Sequence, residues 1–373
     1  MKRILYIGKY NGTVGGIERY IQQSSQLLRR SGLAVHCLYM EQGGREQKSF
    51  ADAFDSIQKF SPENELLHRV DIVIIHNIIP VEFLQFMPEG KTFFFAHDHN
   101  IYCRRHHYYT PFGRINCHRK YNKFFCALCS LGRNAAPPLA EYRKLPALVL
   151  SDFMAGNLRK NGFEKIVKLP AFIQCSEKKH SFMPDNVLRV LFLGQLIRGK
   201  GADLMLKTFR DLVKAGIPFT CTVAGDGNDR PMLEALVKKY NLQQQVHFTG
   251  FVSEPEKLWE NCDVFFFPVR WQEPFGLVGL EAMAHGIPVV AFDTGGVREW
   301  LSASENGIIV PEKKTVAAAG MFGVLAQNLE LLESMGKKGT ELAKEKFSEE
   351  QFVKNFNNYW SCCNENITFG NTF

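Results

Sequence analysis

Two carboxylates, Glu273 and Glu281, flank a loop that ends at Gly276. The residues after this loop predict a helix over Leu277–His285, because their apolar spacing is helical and a glycine and a proline follow them. The first N–H groups of a helix have no partner inside it, so the turn at Gly276 offers backbone donors to an anion. Glu281 lies about one turn into this helix and could reach a hydroxyl beyond the anion. These residue types in this order suit the phosphate and the ribose of a nucleotide.

A second group of anion-binding residues lies in the loop Gln195–Gly201, between a predicted strand at Val187–Gly194 and a predicted helix at Ala202–Ala215. Lys200 stands at the mouth of this glycine-containing loop, where its ammonium group suits a diphosphate. Arg198 could supply a second, forked donor to the same group. Taken alone, a Lys-Gly turn would be an ordinary helix entry.

The run from Trp271 to Val290 joins the two glutamates to Ala-Met-Ala and Gly-Ile-Pro-Val, and it resembles the donor-site signature of retaining glycosyltransferases of family 4. The resemblance implies the GT-B fold, an α/β architecture of two Rossmann-like domains that face each other across a cleft. It also implies that the second domain holds a nucleotide-diphospho-sugar. Glu273 is then expected against the sugar hydroxyls and Glu281 against the ribose.

The loop that contains Lys200 also resembles the family, with one departure. The arginine that usually follows its first glycine is Gln195 here, so either Arg198 replaces that arginine or the donor phosphate is less stabilised. The resemblance implies four residues at the reacting centre, which are His97, Arg198, Lys200 and Glu273. It implies donor contacts from loop and helix-start residues, which are Gly15, Gly16, Gly194, Gly225, Phe251, Val252, Phe275, Gly276, Leu277, Val278 and Glu281. No Asp-x-Asp metal motif occurs in residues 187–373, and the resemblance implies catalysis without a metal.

The elements that must position these residues alternate between strands and helices. A first, acceptor-side domain is expected over residues 1–180, a nucleotide-sugar domain over 181–345, and a helix over 346–373 that returns to the first domain. The predicted strands are Arg3–Gly8, Ala34–Tyr39, Val70–His76, Lys91–Ala96, Leu145–Leu150, Val167–Phe172, Val187–Gly194, Phe219–Ala224, Val246–Gly250, Val264–Pro268 and Val289–Phe292. The predicted helices besides those named above are Ile17–Arg30, Ser151–Asn161, Asn228–Tyr240 and 339–362.

The first domain carries two weaker signals. Gly15 and Gly16 lie before a predicted helix and resemble the family's loop that faces the donor phosphate, although the loop is not Gly-x-Gly-x-x-Gly, which argues against a nicotinamide dinucleotide. His97 follows a predicted strand, and the carboxyl ends of parallel strands line the crevice of such folds. The His97-Asp98 pair matches the family's active-site histidine, while a histidine that only caps a strand end is the alternative.

Residues 100–135 form a cysteine-rich, basic insertion without clear periodicity. Its four cysteines are Cys103, Cys117, Cys126 and Cys129, and four thiolates suit a structural zinc ion. The spacing does not match a standard zinc finger, and reduced, idle cysteines are the alternative.

The net charge of +7 is unevenly distributed. Residues 99–144 contain nine basic residues and one acidic residue, which suggests an anionic partner such as a membrane surface, or else a solvated basic loop. No apolar run approaches the ~18 residues that a membrane span needs, and the start of the chain reads as a strand and not as a signal peptide. We therefore expect a cytoplasmic location, with a peripheral association with the inner face of the membrane.

The resemblance implies a retaining, hexosyltransferase-like enzyme that moves a sugar from a UDP- or GDP-sugar to a glycan, lipid-linked or other cell-envelope acceptor. No nucleic-acid partner is expected. Two alternatives remain open on the same fold. One is a nucleotide-sugar 2-epimerase, and the other is a catalytically silent partner subunit that binds a nucleotide-sugar, for which Gln195 is the only hint.

Overall fold

The computed structural model describes residues 2–110, 115–131, 136–175, 180–182, 187–252 and 254–364. The chain divides into two compact units. Unit 1 comprises the residues up to Ala171 together with the helix Glu349–Asn364, and unit 2 comprises Phe172–Ser348. Both units contain a parallel β-sheet whose successive strands are joined through helices or loops.

The sheet of unit 1 is built from seven described strands. They are β1 (Arg3–Tyr10), β2 (Ala34–Glu41), β3 (Ser56–Lys59), β4 (Ile72–Ile75), β5 (Thr92–Phe95), β6 (Ala147–Val149) and β7 (Ile166–Lys168), in the spatial order β3-β2-β1-β4-β5-β6-β7. The described helices between them are α1 (Gly16–Arg30), α2 (Gln47–Ala51), α3 (Leu66–Arg69), α4 (Lys123–Cys129), α5 (Leu139–Tyr142) and α6 (Asp152–Lys160), with a 3-10 helix at Val81–Phe86.

The sheet of unit 2 has six described strands. They are β8 (Leu188–Leu193), β9 (Phe219–Ala224), β10 (Val246–Gly250), β11 (Val264–Phe267), β12 (Val289–Phe292) and β13 (Gly307–Val310), in the order β10-β9-β8-β11-β12-β13. Its helices are α7 (Ala202–Lys214), α8 (Arg230–Lys239), α9 (Glu256–Trp259), α10 (Leu277–Ala284), α11 (Thr315–Ala326) and α12 (Leu329–Phe347), with 3-10 helices at Arg198–Lys200 and Gly295–Glu299. The helix Glu349–Asn364, α13, belongs to unit 1.

Central strands of both sheets are continuous apolar runs, as expected where a parallel sheet is covered on both faces. Every residue of β4, β11 and β12 is buried. The polar strand β3, by contrast, lies at an edge of its sheet. Two parallel Rossmann-like sheets confirm the predicted fold class.

Most predicted elements are confirmed within one or two residues. β9, β10 and β12 have the predicted bounds, and the predicted helix over Leu277–His285 is found as α10. The strand predicted at Val167–Phe172 is shorter and begins earlier, as β7. Residues 339–362, predicted to be helical, form the end of α12 and most of α13, with a break at Ser348, which is extended.

Among the described residues, no single helix is long and apolar enough to cross a membrane. One consecutive pair, Thr315–Ala326 with Leu329–Tyr359, passes the same test of length and composition together, and it is bent by 102°.

Candidate functional site

The crevice of unit 2 is fixed by the order of its strands. β8 lies between β9 and β11, so the chain leaves β8 in one direction and returns on its other side at β11. Ligands of open α/β sheets bind at such a switch point, outside the carboxyl ends of the strands. The loops that follow β8 and β11 carry Lys200 and Glu273, so the fold brings the two strongest sequence candidates to this edge.

Lys200 and Glu273 form an ion pair at the switch point. The Lys200 Nζ lies 2.8 Å from Oε2 of Glu273, and the Trp271 indole Nε1 donates a hydrogen bond to the same oxygen at 3.0 Å. The ammonium group also lies 5.3 Å from the centroid of the Trp271 ring, within the range of a cation–π contact. Both side chains of the ion pair are largely buried, with 25% of Lys200 and 14% of Glu273 exposed. The ammonium is therefore held in a defined position at the sheet edge.

The loops after β8 and β11 are held together by a close contact between the backbone of Gly199 and the ring of Trp271. A Cβ atom on Gly199 would lie 1.9 Å from the Trp271 ring, so only glycine allows the indole to pack here. The amide N–H of Arg270 donates to the carbonyl oxygen of Gly199 at 3.0 Å, and the Arg270 guanidinium is hydrogen-bonded to Asp203. These contacts fix the position of Lys200 relative to Glu273.

Helix α10 begins at the same edge of the sheet, directly after its N-cap residue Gly276. This residue has φ 99°, a left-handed conformation that favours glycine, and it directly precedes Leu277 and Val278 in the first turn. The indole N–H of Trp300 donates to the carbonyl oxygen of Phe275 at 2.6 Å and so secures the preceding loop. N–H groups in the first turn of a helix have no partner within the helix and favour an anion.

Glu281 is half-buried on the second turn of α10, in the orientation set by that helix. The remaining predicted donor residues of unit 2 follow the carboxyl ends of their strands, with Gly194 after β8, Gly225 after β9, and Phe251 and Val252 after β10. The side chain of Phe251 is 58% exposed. All these residues lie on the same edge of the sheet as Lys200, because the strands are parallel.

Arg198 and Gln195 are both exposed. Arg198 belongs to the same 3-10 helix as Lys200, two residues before it. The structure therefore places a second cation on the loop after β8, at a position where it could substitute for the arginine that Gln195 replaces. Its role in phosphate binding stays a prediction.

Unit 1 has an equivalent switch point between β1 and β4. The end of β1 is tied to the loop after β4 by a hydrogen bond from the Lys9 amide to Oδ1 of Asn77, at 3.0 Å. Gly15 and Gly16 end this loop at the start of α1, and Oε2 of Glu18 accepts a hydrogen bond from the Gly15 amide at 3.0 Å. A Cβ atom on Gly16 would meet no atom within 4 Å, so no close approach within unit 1 requires a glycine at this position.

The predicted active-site histidine of unit 1 is paired with a second histidine. Nε2 of His97 lies 2.8 Å from Nδ1 of His76, and one of the two nitrogens must carry the shared proton. The His97 ring stacks on Phe95 at 4.2 Å between centroids and lies edge-on to Tyr20 at 5.2 Å. Among the described residues, Nε2 of buried His76 has no hydrogen-bond partner. The pair is therefore a neutral, aromatic-walled site and not a charged one.

Burial sets the ionisation of this group. It lowers the pKa of His97 to about 3 and lowers the pKa of His76 well below its usual value, with the neighbouring His97 adding to the latter effect. Burial also raises the pKa of Asp98 to about 6, against hydrogen bonds from Asn100 that favour the carboxylate. At neutral pH the two imidazoles are uncharged, so His97 is suited to hydrogen bonding and not to supplying positive charge.

The structure does not assemble the predicted zinc site. Within the described ranges, no group of three or more His, Cys, Asp or Glu residues is arranged to hold a metal ion. The four thiols are half-buried and unoxidised, and Cys103 and Cys117 pack against the apolar core of unit 1. Burial raises the pKa of Cys103 to about 11, with Cys117 and Cys126 adding smaller electrostatic contributions. The donor atoms suit zinc, but burial raises the pKa of Cys103 and of Cys129 and so favours the protonated form of these two thiols. Residues 111–114 and 132–135 of the predicted insertion lie outside the described residues.

Three residues near the two sites were not predicted to take part. Trp271 stands two residues before Glu273 in the sequence, and a tryptophan close to a loop carboxylate was a signal for a hydrogen-bonding indole. His76 ends one predicted strand and His97 directly follows the next, and two histidines at neighbouring strand ends could have indicated the pair. Trp300 gave no local signal, since it contacts Phe275 across 25 residues of chain.

Comparison with known proteins agrees with this arrangement. The sequence family described as "Glycosyl transferases group 1" matches residues 175–342, which is nearly all of unit 2. The chain is 31% identical over 175 residues to the alpha-D-kanosaminyltransferase of Streptomyces kanamyceticus, covering 46% of this chain and 45% of that protein. It is 27% identical over 215 residues to the putative colanic acid biosynthesis glycosyltransferase WcaL of Escherichia coli K12, covering 54% of this chain and 53% of that protein.

The chain thus spans about half the length of the curated relatives it matches. A solved structure, Anabaena HepE in complex with UDP and glucose, shares the fold over 97% of this chain and 100% of that chain, with a TM-score of 0.73 at 15% identity. The sequence match lies in the unit that carries Lys200, Glu273 and α10, and the structural match extends over both sheets. Residues 175–342 therefore match the glycosyl transferases group 1 family, and the chain has the GT-B fold.

Proposed function

We propose that this chain is a retaining glycosyltransferase that takes its sugar from a nucleotide-diphospho-sugar bound to unit 2. The observation that carries the proposal is the Lys200–Glu273 ion pair at the switch point between β8 and β11, at the edge where α10 begins. Positive charge, helix N–H groups and a carboxylate meet there, and they match the diphosphate, the sugar and the ribose of such a donor. The bound UDP and glucose of HepE support this choice of ligand class.

The chemistry follows from where charge develops. As the bond between the sugar and the diphosphate breaks, the leaving oxygen becomes more negative and the anomeric carbon more positive. A positively charged group fixed beside the leaving oxygen stabilises that transition state more than the ground state. Lys200 is fixed in this way by Glu273 and Trp271, and Arg198 is the second candidate cation on the same turn. In this proposal cationic side chains and the helix terminus assist departure, and no divalent metal takes part.

Glu273 has two roles in this proposal. Its carboxylate positions the Lys200 ammonium, and it also accepts hydrogen bonds from the hydroxyl groups of the transferred sugar. Glu281 accepts hydrogen bonds from the ribose hydroxyls, which distinguishes the nucleotide from a simple phosphate. The backbone beside Gly225, Phe251 and Val252 borders the nucleobase. The donor screen described below decides whether this nucleobase is uracil or guanine.

Unit 1 serves the acceptor in this proposal. His97 is a neutral imidazole whose Nε2 is engaged by His76, so its other nitrogen, Nδ1, is the one available to a substrate hydroxyl. This suits a hydrogen-bonding or positioning role near the transferred sugar. The acceptor class we propose is a glycan, a lipid-linked sugar or another cell-envelope precursor, with the reaction at the cytoplasmic face. The similarity to WcaL, a putative colanic acid biosynthesis glycosyltransferase, supports that class.

The experiment is a donor screen on the full chain. UDP-, GDP- and ADP-sugars are tested by thermal shift, and donors that bind are then assayed for hydrolysis or transfer with a panel of glycan and lipid-linked acceptors. One donor at about 100 times its dissociation constant should add about 2.7 kcal/mol to stability, with no need for added metal. Formation of a sugar epimer without acceptor would instead identify a 2-epimerase. Binding of a donor without hydrolysis or transfer to any acceptor would identify a silent binding subunit.

A further inference from the structure

The short helix α4 of unit 1 exposes an unusual set of large apolar side chains. Phe124 is 72% exposed, Phe125 54%, Leu128 60% and Leu131 57%. Phe124, Phe125 and Leu128 fall within about a third of the helical circumference, so they form one apolar face, and Leu131 follows two residues after the helix ends. The opposite face carries Cys126 and Cys129, which are half-buried against the rest of unit 1. The helix is therefore attached by its cysteine face and presents its aromatic face outward.

Positive charge surrounds this apolar face. Arg119, Lys120 and Lys123 are exposed, and the Arg119 guanidinium lies 5.9 Å from the centroid of the Phe125 ring. Residues 115–131 contain no aspartate or glutamate. We call Phe124, Phe125, Leu128 and Leu131, together with these three cations, the α4 patch.

We propose that the α4 patch docks the protein on an anionic lipid bilayer, with the apolar side chains inserted among the acyl chains and the three cations at the headgroups. Apolar residues on one face with lysine and arginine beside them suit the interface of a bilayer, where each part meets its complement. A neutral surface would leave the cations without a counter-charge. A depth of a few ångströms suffices, since α4 has seven residues and needs only to lie on the surface.

Two other occupants fit the observations less well. A second copy of the chain that used the same patch would place like charges opposite each other, because a two-fold interface pairs each surface with itself. The core of a typical protein interface is depleted in lysine, whereas Lys123 directly precedes Phe124. The bilayer is the partner that accommodates the aromatic rings and the cations together.

The proposal does not depend on the sugar-transfer activity. If that activity is confirmed, docking through α4 would hold the enzyme on the surface that carries lipid-linked acceptors, because α4 lies in the same unit as His97. Binding to lipid can nevertheless be measured without donor or acceptor, so a failure of either proposal can be recognised separately.

The test is co-sedimentation of the full chain with vesicles of neutral phosphatidylcholine, or of phosphatidylcholine mixed with anionic phosphatidylglycerol. We expect binding to the anionic vesicles, little binding to the neutral ones, and release as salt is raised. Replacing Phe124 and Phe125 with serine should weaken binding roughly tenfold or more, since two large apolar groups lose their burial. The matched control replaces Val316 and Val324 of α11, which are 72% and 47% exposed, with serine and should bind as the wild type does.

Charge is tested separately from apolar insertion. Each of Arg119→Gln, Lys120→Gln and Lys123→Gln should weaken binding to anionic vesicles about fivefold, or about 1 kcal/mol, while Lys238→Gln and Lys239→Gln on α8 should not. Insertion is read directly with Phe124→Trp and lipids that carry a brominated acyl chain, which should quench this tryptophan and not one placed by Val316→Trp.

Three results would overturn the proposal. The first is a wild-type chain that stays in solution with anionic vesicles. The second is a Phe124/Phe125 variant, folded by circular dichroism, that binds as tightly as the wild type. The third is a wild-type dimer, seen by sedimentation velocity, that this variant converts to monomer, which would assign the α4 patch to a second copy of the chain.

Discussion

The two units share one strand order around the switch point, yet their chemistry at that point differs. In unit 2 the switch-point loops hold a cation and a carboxylate, Lys200 and Glu273, beside the start of α10. In unit 1 the neighbouring strand ends hold two neutral imidazoles, His76 and His97, stacked among aromatic rings. The fold supplies the position in both cases, and the loop residues decide whether that position binds charge. In the proposed function, unit 2 therefore binds the anionic donor and unit 1 the neutral hydroxyl groups of the acceptor.

The largest effect is expected from Lys200→Ala. If the ammonium stabilises the departing diphosphate, its loss should lower kcat on the order of 10²-fold or more, with a smaller change in KM. Steady-state kinetics with the donor found in the screen measures this. Lys238→Ala on the exposed face of α8 is the matched control and should keep wild-type kcat. A Lys200→Ala enzyme with normal turnover would remove the charged site from the mechanism.

Arg198→Ala sharpens the same test. A comparable loss of kcat is expected if Arg198 replaces the arginine that Gln195 displaces. Full activity in this variant would assign leaving-group stabilisation to Lys200 and the helix terminus alone.

A smaller effect, on binding and not only on turnover, is expected from Glu281→Ala. Loss of a charged hydrogen bond to the ribose should weaken both the donor and the free nucleoside diphosphate by about 1.5–3 kcal/mol. Calorimetric titration of the nucleoside diphosphate gives this value directly. Glu330→Ala, an exposed glutamate on α12, serves as the control. Unchanged affinity in a folded Glu281 variant would remove this residue from the ribose site.

The effect of His97→Ala is expected to concern transfer alone. Loss of a positioning hydrogen bond should reduce transfer roughly tenfold to a hundredfold. Nucleotide affinity should stay the same, since the predicted nucleotide contacts that carry charge lie in unit 2. Single-turnover transfer and a nucleotide titration on the same preparation separate the two quantities. Parallel loss of nucleotide binding would contradict the division of roles between the units.

The last prediction is a pH dependence of stability. Because burial lowers the pKa of His97 in the folded chain to about 3, the unfolded chain binds a proton at about pH 6.5 that the folded chain does not. Above pH 6.5, His97 makes its full contribution to the free energy of unfolding. This contribution falls as the pH decreases toward 3, with a slope of up to about 1.4 kcal/mol per pH unit. Urea unfolding of wild type and His97→Gln at several pH values measures it. The variant should lose less stability between pH 6.5 and 4, and equal losses would contradict a neutral buried imidazole.

Prediction from sequence succeeded where local pattern and burial agree. β12 is an unbroken apolar run between a proline and an aspartate, so its bounds were evident. β3 was missed because an edge strand with the sequence Ser-Ile-Gln-Lys has no apolar run to reveal it. α4 was missed for a different reason, since its large apolar side chains face outward and two of its half-buried residues are cysteines.

The candidate site shows the same division. Lys200, Glu273 and the start of α10 could be predicted because glycines, charges and helix signals lie close together in the sequence. The partner of each side chain could not be predicted, because contacts such as Lys200 with Glu273 join loops separated by 73 residues. The predicted zinc site failed to assemble for a related reason, since spacing along the chain does not determine which way each thiol packs.

The central claim is that the nucleotide-sugar binds to the charged site of unit 2 and not to the neutral site of unit 1. Calorimetric titration of one nucleoside diphosphate into the wild type, Glu281→Ala and His97→Ala tests it most directly. The account predicts that the Glu281 variant loses about tenfold or more in affinity, by the free energy of a charged hydrogen bond, and that the His97 variant binds as the wild type does. Loss of binding in the His97 variant with full binding in the Glu281 variant would contradict it.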